Sequence, residues 1–550
     1  MRAVGRALEE FEIVERPHVT MQALDDVVPL RTMVAVVQAV HTSAQAVELA
    51  DGSMLLYDEL CIATGAVPRA PVVHQAVLTI RDVASVRRVA QSLAAAGRVL
   101  IIGNGAIAME LVHALPRGSQ HVTWLAKDHW MNHTFFDAGA SAFFMHDLAS
   151  GRTPLQASTA TQEDAGVLAA AQLPGRGAGP QWTAHLAVPS SGSVAPGPST
   201  AGAKRPSAAS RSDAHPWSHV HVVQGVQPLA WAAQQANALP ASTIHRFSGL
   251  RSAHPPALGA HVWIPHGAEA DVSNLAPPPA DAPVSVAATD GRVYSADVVV
   301  VALGVQPVWP KLMKVPHRWA PKQGLPVNQY MQVCDDAGQF VPHVYAAGDV
   351  ADMAWCEQAH PLWHQLHTWS QARVMGQYAA WSMTARACGL SEADMELYTG
   401  GGPALEITAH TTQFLARKVV LLGAYNGQGL CAAAQRVCTR VIPPCLVSRS
   451  DAIGVAAASC QQLGRPGASE QDSADAAAAA AAGVAVHLRC TPGEEYVKVV
   501  VQHGSVIGAL LIGDTDLAEP LENLILSGTS VAHLGDDLLE EAVDLADYFD

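Results

Sequence analysis

The sequence predicts an α/β protein, with a parallel dinucleotide-type unit inside the chain and a small α+β domain at its C-terminal end. Three observations predict it. Residues 98–127 run strand, Gly-rich turn, helix, strand. Two other apolar strands end in small-residue turns, at Ala302-Leu303-Gly304 and at Ala346-Ala347-Gly348-Asp349. Residues 495–513 alternate around a turn at His503-Gly504, the mark of a hairpin, and a helix over about 516–527 follows it.

Composition bounds the rest. The chain has 550 residues, enough for several domains. Apolar residues make up 49%, so a sizeable core is available. Gly (43) and Pro (35) are plentiful and aromatics are only 5%, which points to ordered domains interrupted by filler. The filler is visible at about 150–215 and 450–482, where Ala, Gly, Ser and Pro dominate and disorder is expected. The net charge of −16 argues against a general binder of nucleic acid or anionic membrane. No apolar run is long and clean enough for a transmembrane helix. The first residues carry Glu9, Glu10 and Glu12 and do not read as a signal peptide. Nine scattered cysteines without a CxxC read as free thiols in a reducing compartment, so a cytoplasmic or nuclear location is expected.

The strongest motif is Val99-Leu100-Ile101-Ile102-Gly103-Asn104-Gly105-Ala106-Ile107-Ala108. It is G-x-G-x-x-A between an apolar strand and a helix. Gly103 allows the tight turn, Gly105 lets backbone N–H groups reach a pyrophosphate, and Ala108 allows the helix to pack close on the strand. The bland alternative is an ordinary tight turn. An NAD-specific site places Asp or Glu at the end of the second strand. Here Ala126 stands there and Lys127 follows, either as a partner for a 2′-phosphate or as a solvated strand-end charge.

Three turns accompany this motif: Ala63-Thr64-Gly65, Ala302-Leu303-Gly304 and Ala347-Gly348-Asp349. Each alone is a common strand end. Their order around the G-x-G-x-x-A unit is hard to obtain by chance. A Trp-rich helix is predicted from about Pro361 to Arg386, with Trp355, Trp363, Trp369 and Trp381 packing it onto its domain. On such a helix His360, His364 and His367 would share a face, but a partly buried aromatic face is the better reading than a metal site. Cys61 and Cys356 lie near the turns without neighbouring cysteines, which weakens any thiol role.

The order of these motifs resembles the class II pyridine nucleotide-disulfide oxidoreductases. Closer matches within that family lie at Gly103–Val112, Asn132–Ala140, Trp369–Gly376, Lys418–Gly423, Arg489–Leu526 and Asp547–Asp550. The resemblance implies two Rossmann-like FAD/NAD(P)-binding domains with a C-terminal α+β domain. It implies FAD and NAD(P)H as cofactors, held by Ala63, Thr64, Gly65, Gly103, Gly105, Ala108, Lys127, Gly304, Gly348 and Asp349, with Asp349 on the ribityl hydroxyls. The implied activity is hydride transfer from nicotinamide C4 to flavin N5, with no side chain as general acid and no metal. In animal members the family is linked to protecting the RNA-splicing ligase of the tRNA ligase complex from oxidation, so that ligase is the implied partner.

The expected domains are a first FAD segment at 1–90, an NAD(P) domain at 91–305, a second FAD segment at 306–392 and the C-terminal domain at 393–550. One departure stands out. Family members open with a strand and a Gly-rich turn for the ADP half of FAD, whereas Arg6–Glu12 matches a segment after that unit and no such fingerprint precedes residue 99. The expectation is an N-terminally truncated sequence with weakened FAD binding. Three readings follow: a turnover NAD(P)H oxidoreductase, a redox-sensing binding protein with little turnover, and a cofactor-free fragment.

Overall fold

The computed structural model describes residues 31, 33–115, 121–128, 130–150, 220–234, 250–253, 260–265, 282–308, 324–335, 337–391, 394, 406–430, 440–442, 483–491, 493–540 and 543–548. Both low-complexity stretches lie essentially outside these residues. The chain divides into two compact units, one holding His18–Val67 and Val305–Asp550, the other Pro68–Gly304.

In the first unit a three-stranded antiparallel sheet of Val37–His41, Ala46–Leu49 and Met54–Leu56 is followed by β1 (Leu60–Ile62) and β2 (Ala66–Pro68). The second unit then opens with β3 (Val77–Leu78) and helix α1 (Val83–Ala95). Asp82 and Ser85 cap that helix reciprocally, and Val83, Val86, Val89 and Leu93 give it one buried face. Next come β4 (Arg98–Ile102), α2 (Ala106–Ala114), β5 (His121–Ala126), α3 (Ala138–Ser150), β6 (Val220–Gln224) and β7 (Val298–Val301). The strands form one parallel sheet in the order β3-β7-β4-β5-β6. Residues Val99–Ile102 and Val298–Val301 are buried throughout, as central strands covered on both faces must be. A five-stranded antiparallel sheet, built from Pro228–Gln234, Leu250–Ala253, Ala260–Pro265, Val284–Ala288 and Val293–Ala296, completes this unit.

The expected boundary at 90/91 therefore moves to 67/68. β3 pairs with β7 in the parallel sheet, so residues 77–78 belong with the second unit.

Back in the first unit, β8 (Val305–Pro307) pairs with β2. Then come β9 (Gln332–Cys334), β10 (Phe340–Ala346), α4 (Ala354–Ala359) and α5 (Trp369–Ala387). β10 lies antiparallel to β9 and parallel to β1, with Val344, Tyr345 and Ala346 opposite Leu60, Cys61 and Ile62. Ile62, Val344, Ala346, Trp363, Met375 and Ala379 share one core.

The helix predicted over 361–386 begins only at Trp369. Thr368 caps it by accepting from Gln371 N, and His367 takes a left-handed φ of 53°. The three histidines consequently do not share a helical face. Of the tryptophans, Trp363 is buried outside any helix and Trp355 and Trp381 pack against the same core, whereas Trp369 is 51% exposed.

The C-terminal residues add β11 (Ala409–Phe414), β12 (Arg417–Gly423), β13 (Arg440–Ile442), β14 (Val484–Thr491), β15 (Glu495–Gln502), β16 (Ser505–Ile512) and helix α6 (Ala518–Ser527). The sheet order is β11-β12-β16-β15-β14-β13, antiparallel except for β13 on β14. Leu521, Leu524 and Ile525 of α6 pack with Val420, Val497 and Leu511 of the sheet. This segment clusters with the first unit rather than apart from it.

Candidate functional site

In the second unit the Gly-rich turn leaves β4 at the carboxyl end of the parallel sheet, where open α/β folds bind ligands. Gly103 sits at φ +135°, and a Cβ there would lie 2.1 Å from the Ala302 carbonyl oxygen. Its role is thus close approach to the end of β7 as well as turning. Gly103 N donates to the Leu125 carbonyl, and Trp124 Nε1 donates to the Gly103 carbonyl at 2.7 Å.

Asn104, the variable residue between the glycines, is nearly buried. Its Nδ2 donates to Asp128 Oδ2 at 3.1 Å and to the Trp130 carbonyl at 2.7 Å. Its carbonyl accepts from Asn132 N. Its Oδ1 is buried without a hydrogen-bond partner. The turn is therefore braced from the β5 side, and one acceptor is left unpaired.

Gly105 is different. It is the N-cap of α2 in extended conformation, with no side-chain cap, and the place of its Cβ is open space. The N–H groups of the first turn of α2 thus remain for a ligand, and the helix dipole adds partial positive charge. Ala108, fully buried one turn on, lets the helix lie close on the sheet. Lys127 is exposed immediately beyond β5. Gly304 closes this unit at φ +76°, its carbonyl accepting from Arg69 N.

In the first unit the parallel pairing of β1 and β10 brings Ala63–Gly65 and Ala347–Asp349 to one sheet end, and Ala347 N donates to the Ile62 carbonyl at 3.1 Å. Ala63 and Thr64 are exposed, and the Thr64 hydroxyl donates to the Val308 carbonyl. Gly65, at φ +65°, accepts from Val308 N. Gly348 takes φ +75°, and a Cβ there would touch Ala372 Cβ at 3.5 Å, so this turn lies against the first turn of α5. The Asp349 carboxylate, half-buried, lies 3.7 Å from His367 Nδ1.

Gln371 holds the approach to α5. Its Oε1 accepts from Leu366 N, and its Nε2 donates to the His364 carbonyl at 2.7 Å. The spacing Thr368-x-x-Gln371 is a capping signature that could have located this helix start in the sequence. No spacing would have found the contact of Asp128 with Asn104. Burial pushes the Cys61 thiol up, and burial with Glu357 pushes Cys356 up to about 12, so neither is a ready thiolate.

A sequence profile described as "Pyridine nucleotide-disulphide oxidoreductase" matches residues 4–166 and 267–376. The chain belongs to this family. Proteins named "Pyridine nucleotide-disulfide oxidoreductase domain-containing protein 1" from Mus musculus and Homo sapiens are each 29% identical to it, over 561 and 560 residues. The matches cover all of this chain and 90% and 89% of those proteins. Among solved structures, a ferredoxin reductase from Rhodopseudomonas palustris aligns at TM-score 0.47 and 14% identity, over 97% of this chain and 84% of that one. Membership of the pyridine nucleotide-disulphide oxidoreductases accords with the parallel sheet that carries the Gly-rich turn and the parallel β1–β10 pair that leads into the Gly348-Asp349 turn.

Proposed function

We propose that the protein is an FAD-dependent NAD(P)H oxidoreductase, with the nicotinamide dinucleotide on the second unit. The observation that carries this reading is the open space over Gly105 at an uncapped helix start. The residues present fit a dinucleotide: Gly105 leaves room for a pyrophosphate, Ala108 keeps the helix close, and Asn104 offers an unpaired buried acceptor. The flavin fits in part. Asp349, beside the left-handed Gly348, suits ribityl hydroxyls, and the exposed Ala63-Thr64 turn leaves room beside them.

When bound, the two cofactors supply two-electron hydride exchange. The chain's own part is positioning. The α2 N-terminus would orient the dinucleotide phosphates, and the N-terminus of α5, beside Gly348, would favour negative charge near the ribityl side.

The test is purification of the full chain with FAD supplied. A yellow protein that oxidises NADH or NADPH well above free flavin supports the reading. A colourless protein that binds neither nucleotide overturns it.

A redox-sensing role with little turnover is favoured by one observation. The sequence holds no CxxC, and each of the five described cysteines is free, which leaves no evident dithiol route to a disulfide substrate. Slow turnover with a stable charge-transfer band would select this reading. Protection of an RNA-splicing ligase, in cytoplasm or nucleus, rests on the family resemblance alone. Its test is co-purification of the ligase in the presence and absence of NAD(P)H.

A further inference from the structure

In a dinucleotide unit that takes an unphosphorylated ribose, a carboxylate at the end of the second strand accepts from the 2′-OH. Here β5 ends at Ala126, which is fully buried and offers nothing to a ribose. Lys127 follows, exposed, and no hydrogen bond or ion pair engages its ammonium among the described residues. Asp128 is the first acid beyond the strand, and its Oδ2 is already engaged. It accepts from Asn104 Nδ2 at 3.1 Å and lies 3.4 Å from His133 Nδ1. That carboxylate braces the turn between Gly103 and Gly105. Turning it outward to a ribose would cost Asn104 Nδ2 one of its two acceptors, at the turn proposed to seat the pyrophosphate.

We propose that the second unit selects the 2′-phosphorylated dinucleotide, NADPH over NADH, and that Lys127 carries the choice. The selection presupposes the nucleotide site proposed above. Lys127 contributes an ammonium with three donors to a phosphate of roughly two negative charges. Asp128 contributes no ribose contact; it is a positioning residue acting through Asn104.

The test is calorimetric titration of the full chain with 2′,5′-ADP and with 5′-ADP, followed by NADPH and NADH. The wild type binds 2′,5′-ADP about tenfold tighter or more, and the advantage shrinks with added salt. Lys127→Ala lowers 2′,5′-ADP to the level of 5′-ADP. Asp128→Asn weakens both ligands by the same factor, because it loosens the shared turn. Equal affinities in the wild type, an advantage that survives Lys127→Ala, or a selective loss of 5′-ADP binding in Asp128→Asn would each overturn the selection and leave the site intact. Binding of neither ligand would overturn the site itself.

Discussion

Trp124 Nε1 donates to the carbonyl of Gly103 at 2.7 Å, fixing the nucleotide turn to the neighbouring strand. The indole is fully buried. Trp124→Phe removes the donor and leaves a buried carbonyl short of its partner. The expected loss is about 1–3 kcal/mol, read as a lower urea midpoint, with both nicotinamides bound more weakly.

The two glycines of the turn have opposite sensitivities. Gly103→Ala puts a Cβ 2.1 Å from the Ala302 oxygen at a left-handed φ and is expected to cost ~3 kcal/mol or more. Gly105→Ala meets open space at ordinary φ, so thermal unfolding shifts by no more than ~1 kcal/mol. Its nucleotide affinity drops about tenfold, because the methyl occupies the phosphate's approach. Paired melting and binding measurements on the two variants check this crossed pattern.

Glu522 of α6 is fully buried, and neither of its carboxylate oxygens has a hydrogen-bond partner. Burial, with Glu519, pushes its pKa up from 4.5 to about 7. The folded protein then holds a proton that the unfolded chain releases. Its stabilising effect is complete below pH 4.5 and is lost as pH rises through about 7. Glu522→Gln cannot ionise, so relative to wild type it gains ~3 kcal/mol at most between pH 5 and pH 8. Denaturation at the two pH values measures the difference.

Asp297 shows the opposite sign. Burial pushes its carboxyl up, but hydrogen bonds from the Arg98 side chain and backbone outweigh this and hold it below its ordinary 3.8. Its contribution is present above pH 3.8 and is lost as acid protonates the folded form. Asp297→Asn should lower stability by about 1 kcal/mol at neutral pH and by progressively less towards pH 3, as acid titration of both proteins would show.

The Gly-rich turn with its flanking strand and helix was legible because its signals are local. An apolar run, two glycines and an alanine fall within ten residues, and the central strands are buried on both faces, which marks them as parallel. The boundary near residue 67 was not legible. β3 is two residues long, and its partner β7 lies far along the chain. The tryptophans do not mark the start of α5, although Trp381 within it packs against the core. Trp363 reaches the core from a loop, and the helix residue Trp369 faces solvent. The state of Asp128 depends on which way one side chain turns, and no residue pattern encodes that.

The parallel pairing of β1 with β10 has a consequence for synthesis. Glu59 and His343, which meet beside it at 3.0 Å, are 284 residues apart. A ribosome adding roughly 5–20 residues per second needs about 15–60 s to deliver the second of them. Throughout that interval Leu60–Ile62 lacks its β10 partner, while the stretch between is free to fold first. The nascent chain therefore completes its inserted domain before its outer one, and an exposed Leu-Cys-Ile edge is what a chaperone would meet in the meantime.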